Sequence, residues 1–330
     1  SRWATEYKFP AFDRGDVLKR TYQSTSGEPM QGFVLNTRKP QFQDRRVREA
    51  LTLAYDFESL NRLQFHGLYQ RTTSFFQGTE LASRGIPQGL ELEILETVRD
   101  DVPAELFTQP FTLPVYDTAQ SQRQHLRRAS ELLADAGWHA KGGHLVNDRG
   151  EPFRMEFLSA NADSERTTGA YINALRRLGI DASLRIIDTS QYVNRVRDYD
   201  YDVITGLLMQ SQSPGNEQRE FWSSQAADMP DTRNYAGIRN PAVDKLVERV
   251  IYAKDRAELV AATHALDRVL LWEYYYVPQY NNAEIWVAYW NKFGIPETQP
   301  SYIGVDIDSW WVLQDREAVI DSTYSDEKAN

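Results

Sequence analysis

The sequence predicts an α/β fold, and two observations carry that prediction. Between Phe153 and Ile204, period-two apolar runs alternate with helical ones as strand–helix–strand–helix–strand, at the spacing of a right-handed parallel unit. Around that unit lie amphipathic helices whose starts and stops are marked by capping residues.

Residues 1–43 are polar and aromatic, punctuated by Pro10, Pro29 and Pro40, with one readable strand at 30–36. Val47, Ala50, Leu51, Ala54, Phe57, Leu60 and Leu63 step by three and four. Residues 44–65 therefore read as one helix, with Asp44 as N-cap and Gly67 just past its end. Residues 66–116 are rich in turn residues and read as a long excursion with short helices. Asp117 and Gln120 form a capping box for the stripe Leu126, Ala129, Leu132, Leu133 and Ala136, which Gly137 ends. A hairpin turning at 147–150 follows.

Phe153, Met155 and Phe157 alternate as the first strand of the regular part. Ser164 caps a helix bearing Tyr171, Ile172, Leu175 and Leu178, closed by Gly179. Ala182, Leu184 and Ile186 make the second strand, a short helix carries Tyr192, Val193 and Val196, and 201–204 is the third strand. Asn240 with Pro241 at N1, and Asp255 with Glu258, start two further helices. Residues 274–280 and 284–289 read as strands, and 321–330 as a polar tail.

Composition removes several functions. The 37 Lys and Arg against 47 Asp and Glu give a net charge of −10, which argues against a nucleic-acid partner. No apolar run approaches the roughly 18 residues of a membrane span, and the opening residues lack the apolar stretch of a signal peptide. Zero cysteines exclude disulfides and thiolate chemistry. The 18 Tyr, 14 Phe and 8 Trp exceed what a core needs and point to a cleft or surface that uses rings.

Reactive motifs are also missing. There is no Gly-x-Ser-x-Gly elbow, and Gly142-Gly143 follows a helix rather than a strand. His139 and His144 fit a solvated hairpin better than a metal site. Asp198, Asp200 and Asp202 alternate, so on a strand they would share a face as paired carboxylates do, but the first two fit the turn that opens the third strand. No catalytic residue, metal or cofactor is expected. What remains is the polar loop at the carboxyl end of the third strand, where open α/β sheets bind ligands. Gln210, Ser211, Gln212, Asn216 and Glu217 offer donors, acceptors and one charge, and Trp222 and Tyr235 offer flat apolar area. That mixture suits an extended peptide or a sugar. The competing accounts are a core position for Trp222 and a helix N-terminal acid for Glu217.

The segment 32–40, followed by Val47-Arg48-Glu49-Ala50-Leu51 and Ala54-Tyr55-Asp56-Phe57-Glu58, resembles the signature of family 5 extracellular solute-binding proteins. These are the peptide, dipeptide and nickel receptors of ABC importers. Residues 129–138, 178–202 and 234–246 look like the same family, in the family order. Arg71-Thr72-Thr73-Ser74-Phe75-Phe76 with 79–87 resembles its Yej-type branch, linked to oligopeptide and microcin C uptake.

The resemblance implies a periplasmic-binding-protein-like fold (type II, cluster C): a lobe with a mixed parallel sheet flanked by helices, plus segments of a second lobe. Residues 1–40 are then a first-lobe segment with a hinge strand, 41–280 the ligand-binding lobe and 281–320 a return segment. The signal peptide and the amino-terminal half would lie upstream. Candidate ligand contacts are Gln210, Ser211, Gln212, Asn216, Glu217, Trp222, Asn234 and Tyr235, and candidate hinge residues are Asn36, Gln279 and Asn281. The implied function is periplasmic capture of oligopeptides or modified peptides and delivery to ABC permease subunits in the inner membrane, by ligand-driven closure. A carbohydrate receptor of the same fold and a hydrolase are the alternatives. Peptide-binding relatives carry an Asp in the loop matching 210–217 that pairs with the peptide amine, and here there is none. Either Glu217 substitutes, or the ligand amine is blocked or anchored elsewhere. An apolar surface is expected around Trp286, Trp290, Trp310 and Trp311.

Overall fold

The structure, a computed structural model, describes residues 2–329. The chain begins with helices α1 (Arg2–Thr5) and α2 (Pro10–Asp13) and strands β1 (Val17–Gln23) and β2 (Met30–Leu35). Helices α3 (Arg45–Leu53) and α4 (Phe57–Gln64) precede the short strand β3 (Gln70–Arg71) and an excursion containing α5 (Gly89–Glu96). Helix α6 (Ala119–Asp135) and the hairpin β4 (His139–Lys141), β5 (His144–Val146) lead into the regular part. That part is β6 (Arg154–Ser159), α7 (Ser164–Arg177), β7 (Asp181–Ile186), α8 (Thr189–Arg197) and β8 (Val203–Leu208). Helices α9 (Glu217–Trp222), α10 (Pro241–Ile251) and α11 (Arg256–Trp272) follow. The chain ends through β9 (Tyr276–Pro278), β10 (Tyr280–Asn281), β11 (Glu284–Trp290), β12 (Phe293–Gly294), β13 (Trp311–Val312) and α12 (Gln314–Ala329). Helix α12 thus occupies the stretch read as a polar tail, and Asn330 lies outside the described residues.

Two units result, Glu28–Asn281 and the remainder. In the larger, five strands run in the order β7-β6-β8-β2-β9. Strand β6 is parallel to β7 and β8, whereas β2 is antiparallel to β8 and β9, so the sheet is mixed. The expected boundary at 40/41 is corrected by β2. Almost every residue of this strand is buried, and it lies inside the sheet of the larger unit. Alternation sorts the sheet's residues between two cores. Val34, Leu158, Ile204 and Tyr276 face the core that holds Trp222 and helices α10 and α11. Phe33, Phe157, Val203 and Val277 face the core built with α3, α6 and α7. Gly206 of β8 is required by close approach: a Cβ there would stand 2.5 Å from Val34 Cγ2 and 3.2 Å from the Tyr276 ring.

Several local boundaries shift for reasons of capping. The expected helix 44–65 is two helices, because Asp56 accepts from the Ser59 N–H at 2.9 Å and restarts the chain as α4. The apolar period runs through the break because both helices pack on the same core. Thr118 and Ser121, rather than Asp117 and Gln120, form the capping box of α6. Ser164 is the first residue of α7 and not its cap; its hydroxyl lies 2.6 Å from that of Ser159. The hairpin turns at Gly142-Gly143, both at positive φ, and 147–150 is a second turn before β6.

Asp44 does cap α3, accepting from the Arg46 N–H at 2.8 Å. Its hydrogen bond to the Arg46 guanidinium holds the carboxyl below the usual range. Asp44→Ala is expected to lower stability by about 1 kcal/mol at neutral pH. A carboxyl depressed in the folded state stabilises above its unfolded pKa of about 4 and loses that contribution as pH falls. Urea melts of variant and wild type should therefore converge in acid.

In the smaller unit β1 pairs antiparallel with β11. Trp3 stacks on Trp286 at 5.6 Å, and Lys19 Nζ lies 4.2 Å from the centre of the Trp3 ring. Trp310 packs edge-on against Tyr289, while Trp290 and Trp311 are exposed. Two of the four tryptophans expected at an apolar surface are thus covered within the unit.

Candidate ligand-binding site

The loop after β8 is largely occupied with itself. Trp222 is 1% exposed and packs edge-on against Phe75, so it is a core residue and not a cleft ring. Its Nε1 donates to Gln218 Oε1 at 2.9 Å, and Gln218 Nε2 donates to Gln210 Oε1 at 2.8 Å, a buried relay beneath the loop. Glu217 Oε1 accepts from the Gly215 N–H at 2.8 Å and from Gln218 Nε2, at the start of α9. Asn234 is fully buried. It donates to the Ser223 and Ile238 carbonyls and accepts from the Ile238 N–H, holding the loop that precedes α10. The Tyr235 carbonyl accepts from the Tyr201 hydroxyl at 2.7 Å. Asn216 accepts from Arg219, Ser211 Oγ accepts from the Ser213 N–H, and the Gln212 carbonyl accepts from Arg256. The expected cluster of ligand contacts is corrected accordingly: Trp222 and Asn234 are interior, and Gln210 and Glu217 brace the loop.

Asn36 is likewise interior. Its amide donates to the Tyr199 and Tyr201 carbonyls at 3.0 and 2.8 Å, and its Oδ1 accepts from the Arg38 N–H. It ties the end of β2 to the start of β8 inside the larger unit, and is not at a boundary. Asn281 donates to Thr72 Oγ1 at 3.2 Å and is the last residue of that unit. Gln279 takes a different place, in the wall of a cavity.

That cavity, of about 470 Å³, lies toward the carboxyl ends of β6 and β8. Ser159 and Asn161 come from the end of β6, Ser164 and Thr167 from the first turn of α7, and Tyr192 from α8. Thr205 on β8, Gln31 on β2, Gln279 and Tyr280 complete the wall. Gln279 is 3% exposed and accepts from Gln31 Nε2 at 2.8 Å. Leu207 and Met209 follow Thr205 at period two and are 61% and 57% exposed, so this side of β8 offers apolar surface beside polar groups. A larger cavity of about 570 Å³ sits beside Pro152 and Arg154 at the amino end of β6. Ligands of such sheets bind at the other, carboxyl, end.

Asp163 is the one carboxylate among the described lining residues. Burial raises the Tyr192 and Tyr280 hydroxyls, keeping both phenols neutral. Among the described residues no group of three His, Cys, Asp or Glu could hold a metal. Asp198 and Asp200 stand in the turn before β8 and pair with Arg197 and Arg195. Of the wall residues the sequence singled out Gln279 alone, and as a hinge, because position at the end of the third strand points to the loop after β8. The small polar run Ser159-Ala160-Asn161-Ala162-Asp163-Ser164 after the first strand was the available signal.

An α/β unit with a cavity of amides and hydroxyls at its strand ends, Asp163 its one carboxylate among the described lining residues, has the form of a ligand-binding module. Residues 1–229 match the model of bacterial extracellular solute-binding proteins, family 5 (middle), and the chain belongs to that family. It is 47% identical over 317 residues to the probable peptide-binding protein YejA of Agrobacterium fabrum, covering 94% of this chain and 51% of that protein. It is 35% identical over 312 residues to the peptidoglycan-binding protein YepA of the same organism, with 94% and 51% covered. The oligopeptide-binding protein AppA of Bacillus subtilis, solved with a nonapeptide, superposes with a TM-score of 0.66 at 19% identity. That match covers 94% of this chain and 57% of AppA, and shows a shared fold. The chain spans about half the length of the curated relatives it matches.

Proposed function

We propose that this chain belongs to the periplasmic solute-binding component of an ABC importer, which captures oligopeptides or modified peptides and delivers them to a permease in the inner membrane. The observation that carries the reading is the cavity of Gln31, Thr205, Gln279, Ser159 and Thr167, with exposed Leu207 and Met209 beside it. Neutral amides and hydroxyls suit the alternating donors and acceptors of a peptide backbone, and exposed aliphatic groups suit its side chains. The names of the two Agrobacterium relatives support a ligand of peptide character. The chain acts by binding and not by catalysis. Ligand stabilises a closed form that the permease recognises. Glu217 turns an oxygen to its own loop, which favours a ligand whose amine is blocked or anchored elsewhere. The carbohydrate alternative leaned on the Trp222 ring, which is buried.

Thermal-shift screening against peptide pools and against oligosaccharides tests the reading. A rise in Tm with peptides is the expected result, and a rise with sugars alone would sink it. Thr205→Trp, placed on an exposed strand position, should fill the cavity and abolish the peptide shift while leaving the unliganded Tm within about 2 °C, as surface substitutions stay within ±0.5 kcal/mol.

A further inference from the structure

We propose that Arg71, together with the Tyr55 hydroxyl, receives a carboxylate group of the ligand; this deepens the reading above and rests on it. The Arg71 Nε and Nη2 atoms are both buried, and neither has a hydrogen-bond partner among the described residues. Those two N–H groups form the side-on edge of a guanidinium, the fork that takes a carboxylate through two parallel bonds. Elsewhere in this chain carboxylates fill that edge. Arg219 holds Glu248 through Nε and Nη2 at 2.6 and 2.7 Å, and Arg149 holds Glu151 at 3.2 and 2.9 Å. Arg71 instead lies over the Tyr55 and Phe57 rings, 4.7 and 5.8 Å from their centres, with only Nη1 reaching the Tyr55 carbonyl at 3.5 Å. The nearby acids are engaged: Asp56 accepts from the Ser59 N–H and Glu58 from the Tyr116 N–H. Glu58 lies near enough to act on Arg71 by charge but accepts its hydrogen bond from Tyr116, so the buried edge of the guanidinium is left without an acceptor, which is unfavourable and points to an anionic partner.

Arg71 itself lines neither the candidate cavity nor the smaller one that Tyr55 lines, and three placements set it beside them. Arg71 pairs with Tyr280 across β3 and β10, so the two side chains leave the ribbon on the same face, and Tyr280 lines the cavity. Tyr55 is 2% exposed, has a buried hydroxyl without a partner, and lines an adjoining cavity of about 90 Å³. At ~30 Å³ per water, that space matches about three waters or one carboxylate group. Thr167, in the first turn of α7, stands in the wall of both cavities. The ligand class is therefore a carboxylate-bearing one, whether the acid is the carboxyl terminus of a peptide or a small free acid.

The test titrates a tripeptide library, as free acids and as carboxy-terminal amides, and sodium acetate into the full chain by calorimetry. Arg71→Gln and Tyr55→Phe are measured alongside, with circular-dichroism melts to establish that each is folded. Free-acid peptides are expected to bind wild type on the order of tenfold tighter than amides or more. The preference should vanish in Arg71→Gln and shrink in Tyr55→Phe. Equal binding of acids and amides to wild type overturns the role of Arg71 but leaves the peptide reading standing. Acetate binding that depends on Arg71, with no peptide bound, overturns the peptide as source of the acid. Binding of no probe at all overturns the receptor reading, and this assignment with it.

Discussion

Asp267→Ala is expected to lower the Tm by about 10 °C. Asp267 is fully buried on α11. Its Oδ1 accepts from the Phe75 N–H at 2.8 Å, and its Oδ2 accepts from Ser74 Oγ, the Ser83 N–H and Ser83 Oγ at 2.9, 2.9 and 2.7 Å. One carboxylate therefore anchors both ends of the 74–83 excursion to a core helix. Truncation leaves four donors without an acceptor, and hydrogen bonds to a charged group weigh more than neutral ones, so a loss of about 3–5 kcal/mol follows. Asp267→Asn should be nearly as damaging, because its amide N–H₂ meets donors where an acceptor is needed. The loop lies just after Thr72, whose N–H donates to the Gln279 carbonyl behind the cavity wall. Limited proteolysis should therefore cut 74–83 first in the variant. A Tm within about 2 °C of wild type would show that the excursion is held by its apolar contacts instead.

Arg48→Ala is expected to cost about 3–5 kcal/mol by a different route. Arg48 is 3% exposed and donates to the Glu273 carbonyl and Oε2 at 2.7 and 2.8 Å, and to the Phe42 and Gln43 carbonyls at 3.0 and 2.8 Å. It joins α3 to the end of α11. Burial already pushes the Glu273 carboxyl above its ordinary range, with Arg48 the largest effect pulling it back. Without Arg48 that carboxyl rises further. A carboxyl raised in the folded state destabilises fully above its folded pKa, and the penalty fades as pH falls toward the unfolded value. The gap between wild type and Arg48→Ala should therefore narrow from neutral pH into mild acid, the opposite of ordinary acid denaturation. Replacing both partners, as Arg48→Met with Glu273→Leu, should recover much of the loss, since no buried charge is then stranded. Urea melts across pH measure both effects. A double variant no more stable than the single one would place the loss in the Phe42 and Gln43 contacts.

Much of the fold was legible because its signals are local. Asn240 with Pro241, Asp255, Gly137 and Gly179 mark helix ends through their own backbone geometry and hydrogen bonds, as the structure has them. The alternation in β6 and β8 reports burial on each face of a strand. Where the reading slipped at Thr118 and Ser164, two adjacent polar residues competed for one cap and only the path of the chain chooses between them, and at Asp56 an unbroken apolar period hid the restart of a helix. The candidate site was less legible. Position on the sheet suggested the loop after β8. Its side chains were read as available to a ligand when they are engaged with Gln218, Ser223 and Ile238.

The sequence by itself determined the strands of the main sheet, most helices, the family and the lack of a reactive motif, because each rests on spacing and residue type within short windows, whereas β1 of the smaller unit went unread. Tertiary structure alone decided which residues line the candidate cavity of the larger unit. Gln31 and Gln279 are 248 residues apart, yet they touch because β2 and β9 close one edge of a sheet whose parallel strands arrive by crossovers. Exposure is likewise a property of the packed whole. Trp222 could have stood in a cleft, and Arg71 among surface charges, until the surrounding side chains made the first a core residue and left two N–H groups of the second buried without an acceptor.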